Sequence, residues 1–167
     1  VLDDLGRLVK IAFKKDIENI PVAAAISTHK GWKGRVQACV NAGVDMIVVD
    51  TSDGFNEYTS NVIEEFKNMK TKLPICVGNV ITYDGARFLM ENGADVIKVG
   101  MSSGSICTTQ REKATGRAPM TALLEASQAR DDYFDKTGNY VPLIIDGGVS
   151  SAGDMIIALT IADAVMM

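Results

Sequence analysis

A single histidine, His29, stands in 167 residues. Histidine-rich metal centres are excluded by that count, and so is a Ser-His-Asp triad unless His29 itself is the base. The three cysteines, Cys39, Cys76 and Cys107, are far apart and form no CxxC pair. Such a set neither frames a disulfide scaffold nor closes a zinc site, and it fits a reducing cytoplasm. Basic residues number 17 against 21 acids, for a net charge of −4, and no basic run forms a stripe. Nucleic acid is therefore not an expected partner. No apolar run approaches the length of a membrane span, and no basic-then-apolar leader is visible, so neither a membrane nor export is expected. With 47% hydrophobic and 23% charged residues, the composition is that of one globular domain with a substantial core.

What is present is a rhythm. Apolar runs at 22–28 (VAAAIST), 46–50 (MIVVD), 74–79 (PICVGN), 96–100 (VIKVG), 141–148 (VPLIIDGG) and 163–167 (DAVMM) predict six strands. Between them, 32–43, 57–69, 83–94, 119–138 and 151–161 carry apolar residues at helical spacing. The helix from Pro119 has a proline start and a glycine end, as helix chemistry favours. Residues 1–18 differ: Asp3-Asp4-Leu5-Gly6 reads as a turn, RLVKIAF as a strand and Lys14-Lys15-Asp16 as the entry to a short helix. Alternating β and α units with continuously apolar strands predict an α/β fold around a parallel sheet covered on both faces. Six strands suit either an open doubly wound sheet or part of an eight-stranded barrel.

The residues with chemistry cluster where such folds build sites. Asp50, Asn79, Gly100 and Asp146 end strands, and parallel α/β folds place their sites at C-terminal strand ends. The connection after Gly100 runs to roughly twenty residues, long for a βα loop and so a candidate functional loop. It opens GMSSGSICTTQ, which sets Cys107 among small residues. Cys107 is either a small filler, as free cysteines commonly are, or a nucleophile whose thiolate is stabilised by loop N–H groups. Thr108 and Thr109 bring hydroxyls, Ser105 a hydrogen bond for a substrate, and carbonyls of this loop suit a cation. The Asp146-Gly147-Gly148 turn, opening a helix near Ser151, suits a phosphate or is a plain turn. Asp146 itself either binds sugar hydroxyls or caps the turn. Asp50 suits an Asx turn or a ligand, and Asn79 is similar. Lys98 is functional if it points inward and solvated if outward. His29 reads as a loop residue, and the methionines as core filler.

Taken in order, GVDMIVVDTSDGF, VGNVITYDGARFLMENGADVIKVGMSSGSICTTQ, GR at 116–117, IIDGGV and ADAVMM resemble the catalytic domain of the inosine-5′-monophosphate (IMP) dehydrogenase family over nearly all of residues 31–167. The GSICTTQ loop carries most of that specificity. LDDLGRLVKIAFKKDI resembles the end of a CBS module, the regulatory insert of that family. The resemblance implies a (β/α)8 TIM barrel, here strands three to eight, with residues 1–20 ending the CBS module and 21–167 forming a partial barrel. It implies oxidation of IMP to XMP with NAD, in a cytoplasmic homotetramer that uses K+. Cys107 would attack C2 of IMP and Thr109 would help activate water. Ser105, Asp146, Gly147 and Gly148 would bind the nucleotide. Asp50, Thr51, Ser52, Asn79, Lys98 and Gly100 would face NAD. Carbonyls of Ser102, Gly104 and Cys107 would bind K+.

Some positions depart from the family. Ser102 replaces a usual glycine, which bears on the loop's dihedrals, and Pro119 replaces a glutamine. The second glycine-rich phosphate segment and the flap whose arginine acts as base lie outside the sequence, so a chain of this length alone is expected not to turn over. Two other readings accompany the dehydrogenase: a GMP reductase using NADPH, which TSDGF and GR disfavour, and a non-catalytic nucleotide-binding fragment.

Overall fold

The computed structural model describes residues 20–104 and 107–167. The turn, strand and helix entry expected in residues 1–18, with them the CBS-module end up to residue 19, and Ser105 lie outside the described residues. The six strands are β1 (Ala23–Ile26), β2 (Met46–Asp50), β3 (Ile75–Val80), β4 (Val96–Val99), β5 (Leu143–Asp146) and β6 (Ala164–Met166). The helices are α1 (Trp32–Asn41), α2 (Glu57–Asn68), α3 (Tyr83–Glu91), α4 (Thr109–Lys113), α5 (Pro119–Thr137) and α6 (Ala152–Ala158). All five strand pairs are parallel, and the sheet order follows the chain from β1 to β6.

That order separates the two architectures that six strands allow. A doubly wound sheet reverses direction once and so places helices on both faces. Here every crossover steps the same way, and right-handed crossovers then put the helices on one face while the sheet curls away from them. The result is a parallel half-barrel, consistent with a partial TIM barrel. Its core is drawn from strand residues such as Ile47, Val49, Ile75, Val77, Ile97, Val99, Leu143 and Ile145, all at most 1% exposed. Helix α2 adds Val62, Ile63 and Phe66 from one face, each contributing about 1.5–3 kcal/mol by leaving water.

A repeated aspartate locks the N-terminal end of the sheet. Asp45, Asp95 and Asp163 each stand just before a strand. Their backbone N–H groups donate to the carbonyls of Val22, Ile75 and Leu143 (2.8, 3.0 and 3.0 Å). Their carboxylates accept from the N–H of those same three residues at 2.6, 2.8 and 2.8 Å. Each aspartate thus grips one residue at the start of the preceding strand, or just before it, twice and fixes the register. Helix starts are held as locally: Asn56 and Thr82 accept from the N–H groups of Thr59 and Gly85, and Ser151 forms a capping box with Asp154.

The expected long loop after Gly100 differs in one respect from its sequence reading: it contains the short helix α4. Its neck is closed by three contacts. Arg117 N–H donates to Met101 O at 3.5 Å, the Ser102 hydroxyl donates to Thr115 O at 2.9 Å, and Thr115 Oγ1 lies 3.5 Å from Met101 Sδ. The loop therefore leaves and re-enters the fold at one place, before Pro119 opens α5.

Candidate active site

The C-terminal ends of β2, β3, β4 and β5 converge on a cavity of about 350 Å³. It is lined from these ends by Asp50, Thr51, Ser52, Asn79, Gly100, Asp146 and Gly147. The loop after β4 supplies Met101 to Gly104, Cys107 and Thr109. Residues far apart in the chain meet here because every strand of a parallel sheet points its C-terminus the same way.

Three local devices shape the rim. The pairing of β3 with β4 slips between Gly78 and Val80, so Asn79 leaves the ladder as a bulge residue and its side chain turns to the site. Its Nδ2 donates to Gly100 O at 2.6 Å and to Asp146 Oδ2 at 3.0 Å. Its Oδ1 is buried without a partner among the described residues, an acceptor that a ligand donor would satisfy. Gly100 has φ +136°, and a Cβ there would lie 2.1 Å from Asp146 O. Only glycine lets β4 and β5 come this close at the cavity floor. Ser103, from its Oγ, donates to Asp146 O at 2.9 Å and ties the loop's first turn to β5.

Lys98 points inward and is only 4% exposed. Its Nζ donates to Asp50 Oδ1 at 2.9 Å and to Asp146 Oδ2 at 2.6 Å. It sits beneath the cavity rather than in its lining. Burial pulls the Lys98 pKa down, but the hydrogen bonds to Asp146 and Asp50 outweigh it and raise the net value. The ammonium therefore stays charged. Asp50 is half exposed at its side chain (56%) and Asp146 less so (25%).

Cys107 is exposed, its N–H donates to Gly104 O at 3.0 Å, and its Sγ lies 3.3 Å from Thr109 Oγ1. Its pKa is lowered, first by the Thr109 hydroxyl, then by the Thr109 N–H, and further by Ser102. The other two cysteines lack this setting. Cys76 is buried in β3, and desolvation pushes its pKa up to about 12 despite the nearby Lys98. Cys39 lies in α1. A thiol that ionises readily, exposed at a cavity mouth, is a nucleophile's environment.

Of the residues expected from sequence, the cavity brings together Asp50, Thr51, Ser52, Asn79, Gly100, Ser102, Gly104, Cys107, Thr109, Asp146 and Gly147. Gly148 follows outside the lining, packed toward Pro119 and Ser103. Met101 and Ser103 were not expected. Met101 reads as core filler from its type, and Ser103 is one of several small polar loop residues with no signal of its own. Ser102 adopts φ +63°, the left-handed conformation that suits the glycine it replaces. For a cation, Ser102, Gly104 and Cys107 line the cavity from one loop, each with a backbone carbonyl. Oxygen-only ligation of this kind would fit a hard ion. Among the described residues no cluster of three His, Cys, Asp or Glu side chains offers a site of another type.

A second cavity of about 340 Å³ shares Asp50, Thr51 and Ser52 with the first and runs on past Thr28, His29 and Tyr58. The site is thus a two-part cleft, with the aspartate of β2 at the junction.

Residues 7–167 match the family model described as IMP dehydrogenase / GMP reductase domain. The chain is 34% identical to inosine-5′-monophosphate dehydrogenase of Tritrichomonas foetus, an alignment that covers all of this chain and 36% of that protein. It is 39% identical to the enzyme of that name from Aquifex aeolicus (93% of this chain, 31% of the relative). It is 41% identical to the one from Staphylococcus haemolyticus (92% and 33%). The chain thus spans about a third of the length of these curated relatives.

Proposed function

Because the chain belongs to the IMP dehydrogenase / GMP reductase family, we propose that it supplies the catalytic centre of an NAD-dependent IMP dehydrogenase, in the synthesis of guanine nucleotides. Cys107 is the nucleophile. Its thiolate adds to C2 of the hypoxanthine ring, forming a C–S bond, and the hydrogen on C2 departs as hydride to NAD, the oxidant. Water then adds to C2, the C–S bond breaks, and XMP and the cysteine are released. Two covalent steps replace one difficult hydride transfer.

The observation that carries this reading is the Cys107–Thr109 pair, 3.3 Å apart, at the mouth of the cavity whose floor holds Asp146 and Asp50. The Thr109 hydroxyl stabilises the thiolate and orients the hydrolytic water. Asp146 takes the ribose hydroxyls of IMP and Gly148 its phosphate, with Ser105 and Gly147 also contacting the nucleotide. Asp50, Thr51 and Ser52 take the nicotinamide ribose of NAD, with Asn79 and Gly100 beside it. The second cavity, past His29 and Tyr58, accommodates the far half of the dinucleotide. The carbonyls of Ser102, Gly104 and Cys107 would hold K+, whose charge would brace the loop. On the same reading residues 1–20 end a CBS module, residues 21–167 belong to a complete (β/α)8 barrel, and the enzyme is a cytoplasmic homotetramer.

NADH formation from NAD on addition of IMP by the full protein tests the proposal. It is expected in the wild type and absent in Cys107→Ala. Turnover of GMP with NADPH instead, with release of ammonia, would assign the reductase; nucleotide binding with neither reaction would assign a binding role.

A further inference from the structure

We infer that Lys98 is a positioning residue that holds Asp50 and Asp146 in register, so that the nucleotide and dinucleotide half-sites share one buried cation. The inference rests on the reading of these two aspartates as the sugar-binding acids of the proposed dehydrogenase.

The geometry is specific. Asp50 ends β2 and Asp146 ends β5, while Lys98 lies on β4 between them. Asp50 pairs with Gly78 of β3, and Gly78 pairs with Lys98. Asp50 is therefore two strands from Lys98, roughly 10 Å at ordinary strand spacing, a distance that only a long side chain crosses. Gly78 leaves the way open: a Cβ there would lie 2.6 Å from Lys98 Cβ. The ammonium reaches Asp50 Oδ1 and Asp146 Oδ2 together. Asn79 also donates to Asp146 Oδ2. Lys98 meets Asp50 at Oδ1 and Asp146 at Oδ2, and both acids line the cavity, where they meet a ligand.

Lys98 does not line the cavity, and its part is played through the two acids. Both carboxylates lie within hydrogen-bonding reach of one nitrogen. Without the cation they repel each other and turn apart or take up a proton, and either response spoils both half-sites at once. A shared cation also couples the two halves, because what one acid does changes the pull on the other.

Equilibrium binding of IMP alone and of NAD alone to the full protein tests this, with thermal melting to report the folded state. Lys98→Met is expected to weaken both ligands by about tenfold, the size of a lost charged hydrogen bond. Lys98→Arg, which keeps charge and reach, is expected to restore both to within about threefold. In an Asp146→Asn background, Lys98→Met should cost no further IMP affinity yet still weaken NAD, whereas a variant that merely loosened the fold would weaken IMP again. Should Lys98→Met not fold, Asp50→Asn carries the test. Freed from Asp50, Lys98 moves wholly onto Asp146, and IMP is expected to bind about threefold more weakly although Asp50 lies in the other half-site. Loss of one ligand only in Lys98→Met, no rescue by arginine, or unchanged IMP affinity in Asp50→Asn overturns the inference and leaves the dehydrogenase reading standing. Failure of that reading is distinguishable: Asp146→Asn then leaves IMP affinity intact and Asp50→Asn leaves NAD affinity intact, and the inference falls with it.

Discussion

Aspartates stand at both ends of this sheet and do opposite work. At the N-terminal end, Asp45, Asp95 and Asp163 each grip one residue at or just before the start of the preceding strand through backbone and side chain. One oxygen of each takes a backbone N–H of the fold, and Asp95 and Asp163 also accept from the Lys67 ammonium and the Tyr140 hydroxyl. At the C-terminal end, Asp50 and Asp146 share Lys98 and both line a cavity. Residue type is the same; what differs is whether the carboxylate's partners belong to the protein or are left for a ligand. In a parallel barrel the first end therefore carries register and stability, and the second carries recognition.

The contrast can be broken experimentally from either end. Asp146→Asn is expected to reduce kcat/KM for IMP by about a hundredfold, since charged hydrogen bonds to the ligand are lost, while melting shifts little because Lys98 keeps Asp50. Asp95→Ala is expected to do the reverse. It strips the carboxylate from the N–H of Ile75, a fully buried residue, and an unsatisfied buried donor costs about 1–3 kcal/mol. Denaturant unfolding should read that loss, with activity per folded molecule unchanged. Equal effects of the two substitutions on stability would remove the distinction between the ends.

The loop bearing Cys107 adds smaller tests. Thr109→Val removes the largest influence that lowers the Cys107 pKa. The thiolate fraction at neutral pH then falls, so the alkaline-rising limb of the rate profile should move to higher pH. The rate near neutrality should drop roughly three- to tenfold, the size of one ordinary hydrogen bond. Formation of the Cys107 adduct should recover at high pH, whereas its hydrolysis, which also uses the Thr109 hydroxyl, should stay slow. Ser102→Gly has the least expected effect. It relieves a left-handed residue at φ +63° but gives up the 2.9 Å bond to Thr115 O that closes the loop neck. The two changes oppose each other at about 1 kcal/mol apiece, and thermal melting should move by no more than a few degrees.

Much of this was legible in the sequence, for physical reasons. The strands are continuous apolar runs, so all six were visible, each within a few residues of its end, but the expected cover on both faces is absent: β2 and β5 alternate buried with half-buried residues, and the run at 22–28 becomes a strand only over Ala23–Ile26. The same continuity hid the direction of Lys98, because a strand apolar on both faces has no alternation to say which side is inward. Strand order is a property of pairing, not of periodicity, so half-barrel and doubly wound sheet were equally open. Helix α4, TQREK, is five residues long, too short to show a helical period. The Cys107 loop stood out by composition, but the clasp by Ser103 and the presence of Met101 in the cavity depend on contacts across the fold.

The central claim is that Cys107 bonds covalently to the nucleotide. Intact-mass spectrometry of the full protein, acid-quenched after mixing with IMP and NAD, tests it most directly. The account predicts a nucleotide-sized mass increase that maps to Cys107 and is absent from Cys107→Ala. Turnover without any adduct, or an adduct on Cys39 or Cys76, would contradict it.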